Sequence, residues 1–351
     1  MFDMLALSHS DTQKLLDMET VIGMVEMAYQ LKSEKQASLF PMIFHEFEPG
    51  VADMDIKSGH LAGAGIFGLK LVSWFGPNAE KGLPQLVGTV MVFDSHTGVP
   101  KAILSAEHIT CMRTGAAGAV GAKYLARKDS KTLLMVGAGN QAAFQIAATL
   151  MVMNSIEKVM IWDPVNPTHA ETFTQKLPER LQKEFLSFFE NGSAKYEKYE
   201  QRFTVNFEVV QDIQRATGEA DIIITATPSR KPMLMREWIK QGTHLSCVGS
   251  DMEGKQEVDE NLFTVARIFT DDFAQSMHVG EAEIAVKKGL FSESDYIGEI
   301  GESVSGRIAG RLSDHDITLF DSTGIALQDL ITADYAIRQA REKGIGTAFT
   351  L

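Results

Sequence analysis

The chain has 351 residues, of which 44% are hydrophobic and 23% charged, ordinary proportions for globular domains. Its 33 basic and 46 acidic residues give a net charge of −13, which argues against binding to nucleic acid or to an anionic membrane surface. Two cysteines are too few for a disulfide framework or a zinc cluster, and the nine histidines lack metal-ligand spacing. The N-terminal segment has no signal-peptide pattern. We therefore expect a cytoplasmic, two-domain protein without a metal site.

The first part of the chain is predicted to begin with a helix and to continue as strands. Ser10-Asp11 is a suitable cap for a helix whose apolar residues recur at helical spacing to Ala28. Asp94–Gly98 is typical of a hairpin turn. A helix of small residues, Thr114–Ala126, follows, and its glycines permit close approach of another backbone. The strand-like segments are Gly65–Phe75, Leu86–Asp94 and Ala102–Leu104.

After residue 127 the pattern changes to strands that alternate with helices. This alternation predicts an α/β fold with a parallel sheet covered by helices on both faces. Leu177–Phe203 is interpreted as a surface helix, and Ala326–Lys343 as a final helix. We expect the last stretch of the chain, from about residue 315, to rejoin the first domain. The predicted strands are Thr132–Val136, Lys158–Trp162, Asp221–Thr225, Thr243–Val248, Ala266–Thr270 and Asp316–Phe320.

A glycine-rich turn between a predicted strand and a predicted helix indicates a dinucleotide site. Gly137 permits a tight turn, Gly139 lets a pyrophosphate approach the backbone, and Ala142 keeps the helix close to the strand. The next strand ends at Asp163, whose carboxylate is suited to the ribose hydroxyls of NAD and would repel the 2′-phosphate of NADP. The alternative is a glycine turn and a helix-capping aspartate without a nucleotide. The sequence predicts NAD as the cofactor.

Four charged residues are candidates for the chemistry. Arg113 is predicted to open the small-residue helix, where it would bind a substrate carboxylate or form an interface ion pair. Lys70 lies within an apolar strand and is either functional or at an exposed edge. Lys57, taken alone, is expected to be solvent-exposed. Asp251 follows an apolar strand, where open α/β sheets place ligands, although a loop-capping role fits equally well.

Several segments together resemble the ornithine cyclodeaminase/mu-crystallin family of NAD(P)-dependent enzymes. The resemblance implies a Rossmann domain over residues 128–314. It also implies an α+β domain for substrate binding and homodimer formation, built from residues 1–127 and 315–351. The matching segments, in the family's order, are Gly68–Val72, Gly82–Pro84, Met112–Ala117, Val136–Gln141, Val248–Asp251 with Gly254–Glu257, and Phe320–Gly324.

The resemblance also assigns roles to individual residues. Lys70 and Arg113 match the residues that hold the α-carboxylate of the substrate, and Asp251 matches the acid near its nitrogen; of these, Lys70 and Asp251 are the predicted catalytic residues. Ser322 and Gly324 lie where the family lines the nicotinamide. The full predicted set of cofactor-binding residues is Thr114, Gly137, Gly139, Asn140, Gln141, Asp163, Ala226, Thr227, Val248, Ser322 and Gly324.

Two departures from the family pattern concern the substrate. An arginine upstream of the family's lysine has no equivalent in Phe40–Glu46, and the glutamate that serves a diamine substrate falls on Lys57. A cation there would repel ornithine's distal ammonium and favour an acidic side chain. Ile268–Ser276 looks most similar to iminosuccinate reductase.

The expected function is an NAD-dependent imine reductase or amino-acid dehydrogenase acting on a small, including dicarboxylic, 2-imino or 2-amino acid, of the iminosuccinate or alanine type. One alternative is an ornithine cyclodeaminase, which forms proline and ammonia and recycles NAD. The other is a non-catalytic NAD(P)H-binding protein of the mu-crystallin type.

Overall fold

The computed structural model describes all 351 residues. Its α helices are α1 (His9–Leu15), α2 (Met18–Ser33), α3 (Ala106–Leu125), α4 (Ala142–Val152), α5 (Pro167–Arg180), α6 (Ala194–Phe203), α7 (Ile213–Glu219), α8 (Phe273–Val279), α9 (Glu283–Lys287), α10 (Ile300–Val304) and α11 (Ala326–Lys343). Its strands are β1 (Asp3–Leu7), β2 (Ala37–Leu39), β3 (Ile43–Glu48), β4 (Ala52–Leu61), β5 (Ile66–Phe75), β6 (Leu86–Asp94), β7 (Pro100–Ser105), β8 (Thr132–Val136), β9 (Lys158–Trp162), β10 (Asn206–Val209), β11 (Ile222–Thr225), β12 (Arg230–Leu234), β13 (His244–Cys247), β14 (Gln256–Val258), β15 (Arg267–Thr270), β16 (Gly298–Glu299), β17 (Thr318–Asp321) and β18 (Thr347–Thr350).

The chain forms two compact units. Unit 1 consists of Met1–Leu16, Gly23–Arg113 and Ile325–Leu351, and unit 2 of Asp17–Ile22 and Thr114–Gly324. These bounds differ from the domain bounds expected at residues 127 and 315, because the second half of α3 packs within unit 2. A Cβ on Gly115 would lie 2.7 Å from the carbonyl oxygen of Phe144, and one on Gly121 would lie 2.6 Å from the ring of Phe320. The domain assignment itself stays a prediction.

Unit 1 contains a mixed, mostly antiparallel sheet in the order β18-β1-β7-β6-β5-β4-β2, with β3 also paired to β4. Helix α11 lies close to one face of this sheet. A Cβ on Gly68 of β5 would lie 2.8 Å from a methyl carbon of Leu330, and one on Gly59 of β4 would lie 3.0 Å from Leu327. The two glycines therefore let the helix approach the strands that carry Lys57 and Lys70.

Unit 2 contains an eight-stranded sheet in the order β10-β9-β8-β11-β13-β17-β15-β16, with every pair parallel. Strands β8, β9 and β10 follow one another on one side of the sheet, and β11 begins the other side. This order is the doubly wound pattern of nucleotide-binding sheets. The predicted Rossmann-type α/β fold is therefore confirmed. Because all strands run in one direction, the loops after β8, β9, β11, β13 and β17 lie at the same edge of the sheet.

The N-terminal segment differs from the prediction of one continuous helix. The chain begins with β1, and α1 starts at His9 because Ser8, rather than Ser10, forms the N-cap in a capping box with Asp11. The chain leaves the helical conformation at Leu16, and α2 then begins at Met18. Helical spacing of apolar residues could not reveal this break, because the spacing resumes in phase beyond it.

The expected surface helix Leu177–Phe203 is also wrong. Helix α5 ends at Arg180, a π-helical turn covers Leu181–Phe185, a short 3-10 turn covers Leu186–Phe188, and α6 starts only after Ser193 caps it. The side chains of Leu177, Leu181, Phe185, Leu186, Tyr199 and Phe203 are buried, so the segment packs one side against unit 2.

The predicted β strands of both units and the final helix α11 are confirmed, with small shifts at their ends. The structure adds strands that were not expected, notably β1 and β18, which pair with each other in antiparallel register. No helix has both the length and the apolar character that a membrane span requires.

Candidate functional site

Three cationic side chains come together in unit 1. Lys57 and Lys70 are direct cross-strand partners on β4 and β5, so both project from the same face of the sheet. Arg113 lies in the middle of α3. Their exposed fractions are 7%, 3% and 6%, respectively. Such burial of three cations is costly unless counter-charges and hydrogen bonds compensate it.

The compensating carboxylate is Asp329 of α11, which is completely buried. Its Oδ2 lies 3.0 Å from Nζ of Lys70, and its Oδ1 accepts a hydrogen bond of 3.1 Å from Nε of Arg113. One carboxylate therefore bridges the two cations that were predicted to bind a substrate. Breaking a buried pair of this kind by removing one partner typically costs about 3–5 kcal/mol.

The neighbouring residue Gln328 extends this arrangement. Its side-chain oxygen accepts a hydrogen bond of 3.0 Å from NH1 of Arg113, and its amide group hydrogen-bonds the hydroxyl of Tyr29 on α2. Both Gln328 and Tyr29 are buried. The guanidinium of Arg113 is therefore fixed on two sides.

The charges in this cluster act on one another. Burial lowers the pKa of Lys70 to about 8, with Arg113 and Lys57 contributing in the same direction and Asp329 opposing them. Burial also disfavours ionisation of Asp329, but Arg113, Lys70 and Lys57 hold the pKa of that carboxyl below its usual value. Asp329 is thus a carboxylate, and Lys70 is poised between its charged and neutral forms at mildly alkaline pH.

Two sequence-based expectations about these residues were wrong. Lys57 is buried rather than solvent-exposed, because it shares the covered face of the sheet with Lys70. Arg113 does not open the small-residue helix, because α3 already begins at Ala106. Asp329 was not predicted at all. The only sequence feature that pointed to it was an acidic residue within the predicted final helix. In the structure all residues of Ala326–Asp334, including Asp329, are buried.

Unit 2 contains the predicted dinucleotide turn between β8 and α4. Gly137 has φ +99°, and a Cβ there would lie 2.9 Å from the carbonyl oxygen of Ala226, so the position requires glycine. A Cβ on Gly139 would meet nothing within 4 Å, so its backbone faces open space. Asn140 is exposed and Gln141 precedes the first residue of α4. Free N–H groups at the start of α4 suit a phosphate.

Asp163 follows β9 beside this turn. Its Oδ2 accepts hydrogen bonds of 3.1 Å from the backbone N–H of Ala138, and its Oδ1 accepts hydrogen bonds from Val165 and Asn166. Partial burial disfavours its ionisation, but these backbone donors hold the pKa of Asp163 below its usual value. The structure therefore places a carboxylate next to the glycine turn, in contact with its backbone.

The other predicted cofactor residues of unit 2 lie on loops held by buried carboxylates. Glu257 accepts hydrogen bonds from the N–H and hydroxyl of Thr227, at 2.7 and 2.8 Å, and from the N–H of Gly249, which follows Val248. Ala226 directly precedes Thr227 at the end of β11. These bonds fix the loops after β11 and β13 relative to each other.

Asp271 holds the loop after β17 in the same way. It accepts hydrogen bonds from the hydroxyls of Ser322 and Thr323 and from the N–H groups of Thr323 and Gly324, at 2.8–3.3 Å. Thr114 differs from these loop residues because it lies on α3, where its carbonyl oxygen accepts a 2.8 Å hydrogen bond from Gln145.

Two further buried carboxyls support these loops and were not predicted. Glu281 accepts hydrogen bonds from the backbone of Glu257 and Val258, and Asp321 accepts them from the backbone of Glu281 and Ala282. Burial, and next the charge of Glu257, raises the pKa of Glu281. Burial raises the pKa of Asp321 to about 7.

Asp251 lies in the loop after β13 and is exposed over half of its side chain. Its Oδ1 lies 2.6 Å from Nζ of Lys255, four residues further along the chain. This carboxylate is therefore accessible, as a proton-transferring group must be, and its closest cation comes from its own loop.

Comparison with known proteins agrees with this geometry. The model of the ornithine cyclodeaminase/mu-crystallin family matches residues 3–186 and 186–344. The chain is 35% identical to alanine dehydrogenase of Archaeoglobus fulgidus over 98% of this chain and 97% of that one. It is 36% identical to iminosuccinate reductase of Paracoccus denitrificans over 97% of this chain and 98% of that one.

A solved structure of an archaeal alanine dehydrogenase dimer with bound NAD has a TM-score of 0.88 and 34% sequence identity, and both chains are covered completely. The resemblance inferred from the motifs is thereby confirmed over the whole chain. The protein belongs to the ornithine cyclodeaminase/mu-crystallin family.

Proposed function

We propose that the protein is an NAD-dependent oxidoreductase that interconverts a small 2-imino acid and the corresponding 2-amino acid. The observation that carries the proposal is the buried cluster of Lys57, Lys70 and Arg113, in which one aspartate, Asp329, bridges two of the three cations. Because Lys70 and Arg113 share this single carboxylate, a carboxylate ligand would compensate the charge that remains on these two cations. Relatives named alanine dehydrogenase and iminosuccinate reductase, at 35% and 36% identity, support this class of reaction.

The residues of unit 2 fit NAD. The open backbone at Gly139 and the start of α4 would receive the pyrophosphate, and the Asp163 carboxylate would accept hydrogen bonds from the ribose hydroxyls. Thr227, Val248, Ser322 and Gly324 lie on loops at the same edge of the sheet and would line the rest of the cofactor. Bound NADH supplies the hydride that reduces the imine carbon.

In the proposed reaction, Lys70 and Arg113 bind the α-carboxylate of the substrate and so orient its α-carbon. Asp251 then transfers one proton, taken from solvent, to the substrate nitrogen. Imine, hydride and proton together give the amine, so the reaction balances without a further co-reactant. The reverse direction returns the hydride to the oxidised cofactor and the proton to Asp251.

Lys57 is the proposed selectivity residue. It is buried beside Lys70, so its ammonium charge belongs to the substrate-binding cluster rather than to the outer surface. A second carboxylate on the substrate would be attracted by it, whereas the distal ammonium of a diamine would be repelled. A dicarboxylic substrate of the iminosuccinate type is therefore favoured over ornithine.

A homodimer is part of the proposal, because one face of the unit 1 sheet is apolar and exposed. Ile43 of β3, Ile56 of β4 and Leu71 of β5 occupy paired register positions, with Ile43 53% and Leu71 37% exposed. Phe47 of β3 and Val87 of β6, which is paired with Ser73 of β5, are also exposed. Exposed apolar surface of this kind is typical of an interface. A cytoplasmic location is also proposed, since Cys111 and Cys247 are free thiols.

The test is a screen for NADH oxidation with oxaloacetate, pyruvate, glyoxylate and cyclic ketimines, with ammonia or methylamine where an imine must form. Wild-type protein should oxidise NADH with at least one of them, and R113A should lose most of that activity. R338A is the matched control, because Arg338 is an exposed arginine on α11 that pairs with Asp334.

Two results would contradict the proposal. Release of ammonia from ornithine without net change in NADH would assign the protein as a cyclodeaminase. Tight NADH binding without turnover of any compound would assign it as a binding protein.

A further inference from the structure

We propose that Asp329 is a positioning residue for the carboxylate-binding cations, and that it both aims Lys70 and Arg113 and keeps Lys70 charged. The inference rests on the proposed function for the identity of the substrate carboxylate. It adds a residue that neither the sequence motifs nor the proposed reaction required, and one that makes no contact of its own with the substrate.

Asp329 leaves several donors of Arg113 and Lys70 available for a ligand. Arg113 carries five N–H bonds, of which Nε–H donates to Asp329 and one hydrogen of NH1 donates to Gln328. The NH2 group and the second hydrogen of NH1 remain, and they form the end-on fork that matches a carboxylate. Lys70 has three N–H bonds and forms an ion pair with Asp329, whose Oδ2 lies 3.0 Å from its Nζ.

Asp329 also fixes the directions of these two cations. Because a single carboxylate bridges Lys70 and Arg113, through Oδ2 at 3.0 Å and Oδ1 at 3.1 Å, the two cations cannot reorient independently. Asp329 is on α11, whose Leu327 and Leu330 pack against Gly59 and Gly68 of the strands. The bridge is therefore anchored in a close helix–sheet contact, and the remaining donors of both cations have a fixed geometry relative to each other.

Asp329 also influences the charge of Lys70. Lys57 and Arg113 both disfavour the protonated form of Lys70, and burial does so most strongly. Asp329 supplies the largest opposing effect, while Asp55, also on β4, adds a smaller one. Only a protonated Lys70 attracts a carboxylate. Removing the charge of Asp329 would lower the pKa of Lys70, so the site would lose its affinity for a carboxylate at a lower pH.

The experiment measures equilibrium binding of pyruvate and of malonate by calorimetry, at saturating NADH and without ammonia, between pH 6 and pH 9.5. No turnover occurs under these conditions, so a failure of the proposed reaction in the substrate screen leaves this test intact. Wild-type protein should bind at least one of the two anions, with affinity that declines above about pH 8.

Two variants separate charge from geometry. D329N keeps the shape of the side chain but removes its charge. The decline in anion affinity should therefore begin at a pH that is lower by about one unit or more. D329E keeps the charge but displaces the oxygens, so the decline should stay in place while the affinity at pH 7 falls roughly tenfold or more. D334N, at another buried aspartate of α11 that pairs with Lys101 and Arg338, should change neither quantity.

The proposal is overturned if wild type binds neither anion, if D329N keeps the wild-type pH dependence, or if D329E keeps the wild-type affinity. Should D329N fail to fold, D329E decides the question of positioning by itself.

Discussion

Lys57 and Lys70 are directly opposite each other on β4 and β5, and both are buried. Like charges in this position repel each other and disfavour folding. A leucine or methionine at position 57 would avoid this repulsion, and Lys70 would keep its ion pair with Asp329. We infer that the pair is retained for the ligand that it binds.

Substitution of Lys57 by methionine should therefore change selectivity. K57M removes a cation that lowers the pKa of Lys70 and that also lowers the pKa of Asp329. The ratio of kcat/KM with oxaloacetate plus ammonia to that with pyruvate plus ammonia should fall by about tenfold or more. K81M, at an exposed lysine of the same unit, serves as the control. An unchanged ratio in K57M would remove Lys57 from the proposed site.

Substitution of Asp163 should relax the preference for NADH. D163N removes the negative charge that would face a 2′-phosphate. The amide oxygen can still accept from the N–H groups of Val165 and Asn166, and only the hydrogen bond from Ala138 is lost. Steady-state kinetics should show the ratio of kcat/KM for NADH to that for NADPH falling by about tenfold or more. D212N, at the N-cap of α7, is the comparison variant and should leave the ratio as it is. Equal ratios in D163N and wild type would mean that Asp163 does not face the ribose.

A charge on the apolar sheet face should dissociate the proposed dimer. L71D places a carboxylate in the row formed by Ile43, Ile56 and Leu71, where it would have to lose its hydration in an interface. Light scattering should give twice the monomer mass for wild type and the monomer mass for L71D. V165D, at an 87% exposed valine of unit 2, should remain dimeric. A monomeric wild type at micromolar concentration would contradict the proposal.

The raised pKa of Glu281 predicts a pH-dependent effect of its replacement. In wild type the buried, neutral carboxyl contributes stability fully below pH 4.5, and this contribution is lost as the pH rises towards the folded-state pKa. The amide in E281Q does not titrate, although it still accepts the two backbone hydrogen bonds and faces the Ser250 hydroxyl.

The unfolding free energy of E281Q should consequently increase relative to that of wild type as the pH rises above 4.5. Urea titrations at several pH values measure it. E253Q, at an exposed glutamate of the same unit, should show no such trend across this range, because its carboxyl is already ionised above pH 4.5 in both states. A constant difference for E281Q would mean that Glu281 is ionised in the folded protein.

The repeated alternation of strands and helices made the parallel sheet of unit 2 predictable from sequence. Gly137, Gly139 and Asp163 were predictable as well, because a tight turn and a strand-end carboxylate have local signals. The division of the first helical region into α1 and α2 was not predictable, since apolar spacing continues across the break at Leu16. The strands β1 and β18 also escaped prediction, because each depends on a partner at the other end of the chain.

The candidate site illustrates the same limit. Lys70 and Arg113 were identified from their motifs, but the carboxylate between them comes from a residue 216 positions beyond Arg113. The burial of Lys57 depends on its register with Lys70 and on the approach of α11, and neither has a local signal. Sequence patterns therefore failed to predict the contacts between residues that lie far apart in the chain.

Asp329 also fixes the order in which this protein can become functional during its synthesis. Lys57, Lys70 and Arg113 leave the ribosome long before α11, and β18, which closes the ladder onto β1, emerges last. Until then the nascent chain has three lysine and arginine charges to bury and lacks the one aspartate that bridges two of them. Folding of the sheet around these cations should accordingly wait until α11 and β18 have emerged, by which time Thr114–Gly324 is already complete.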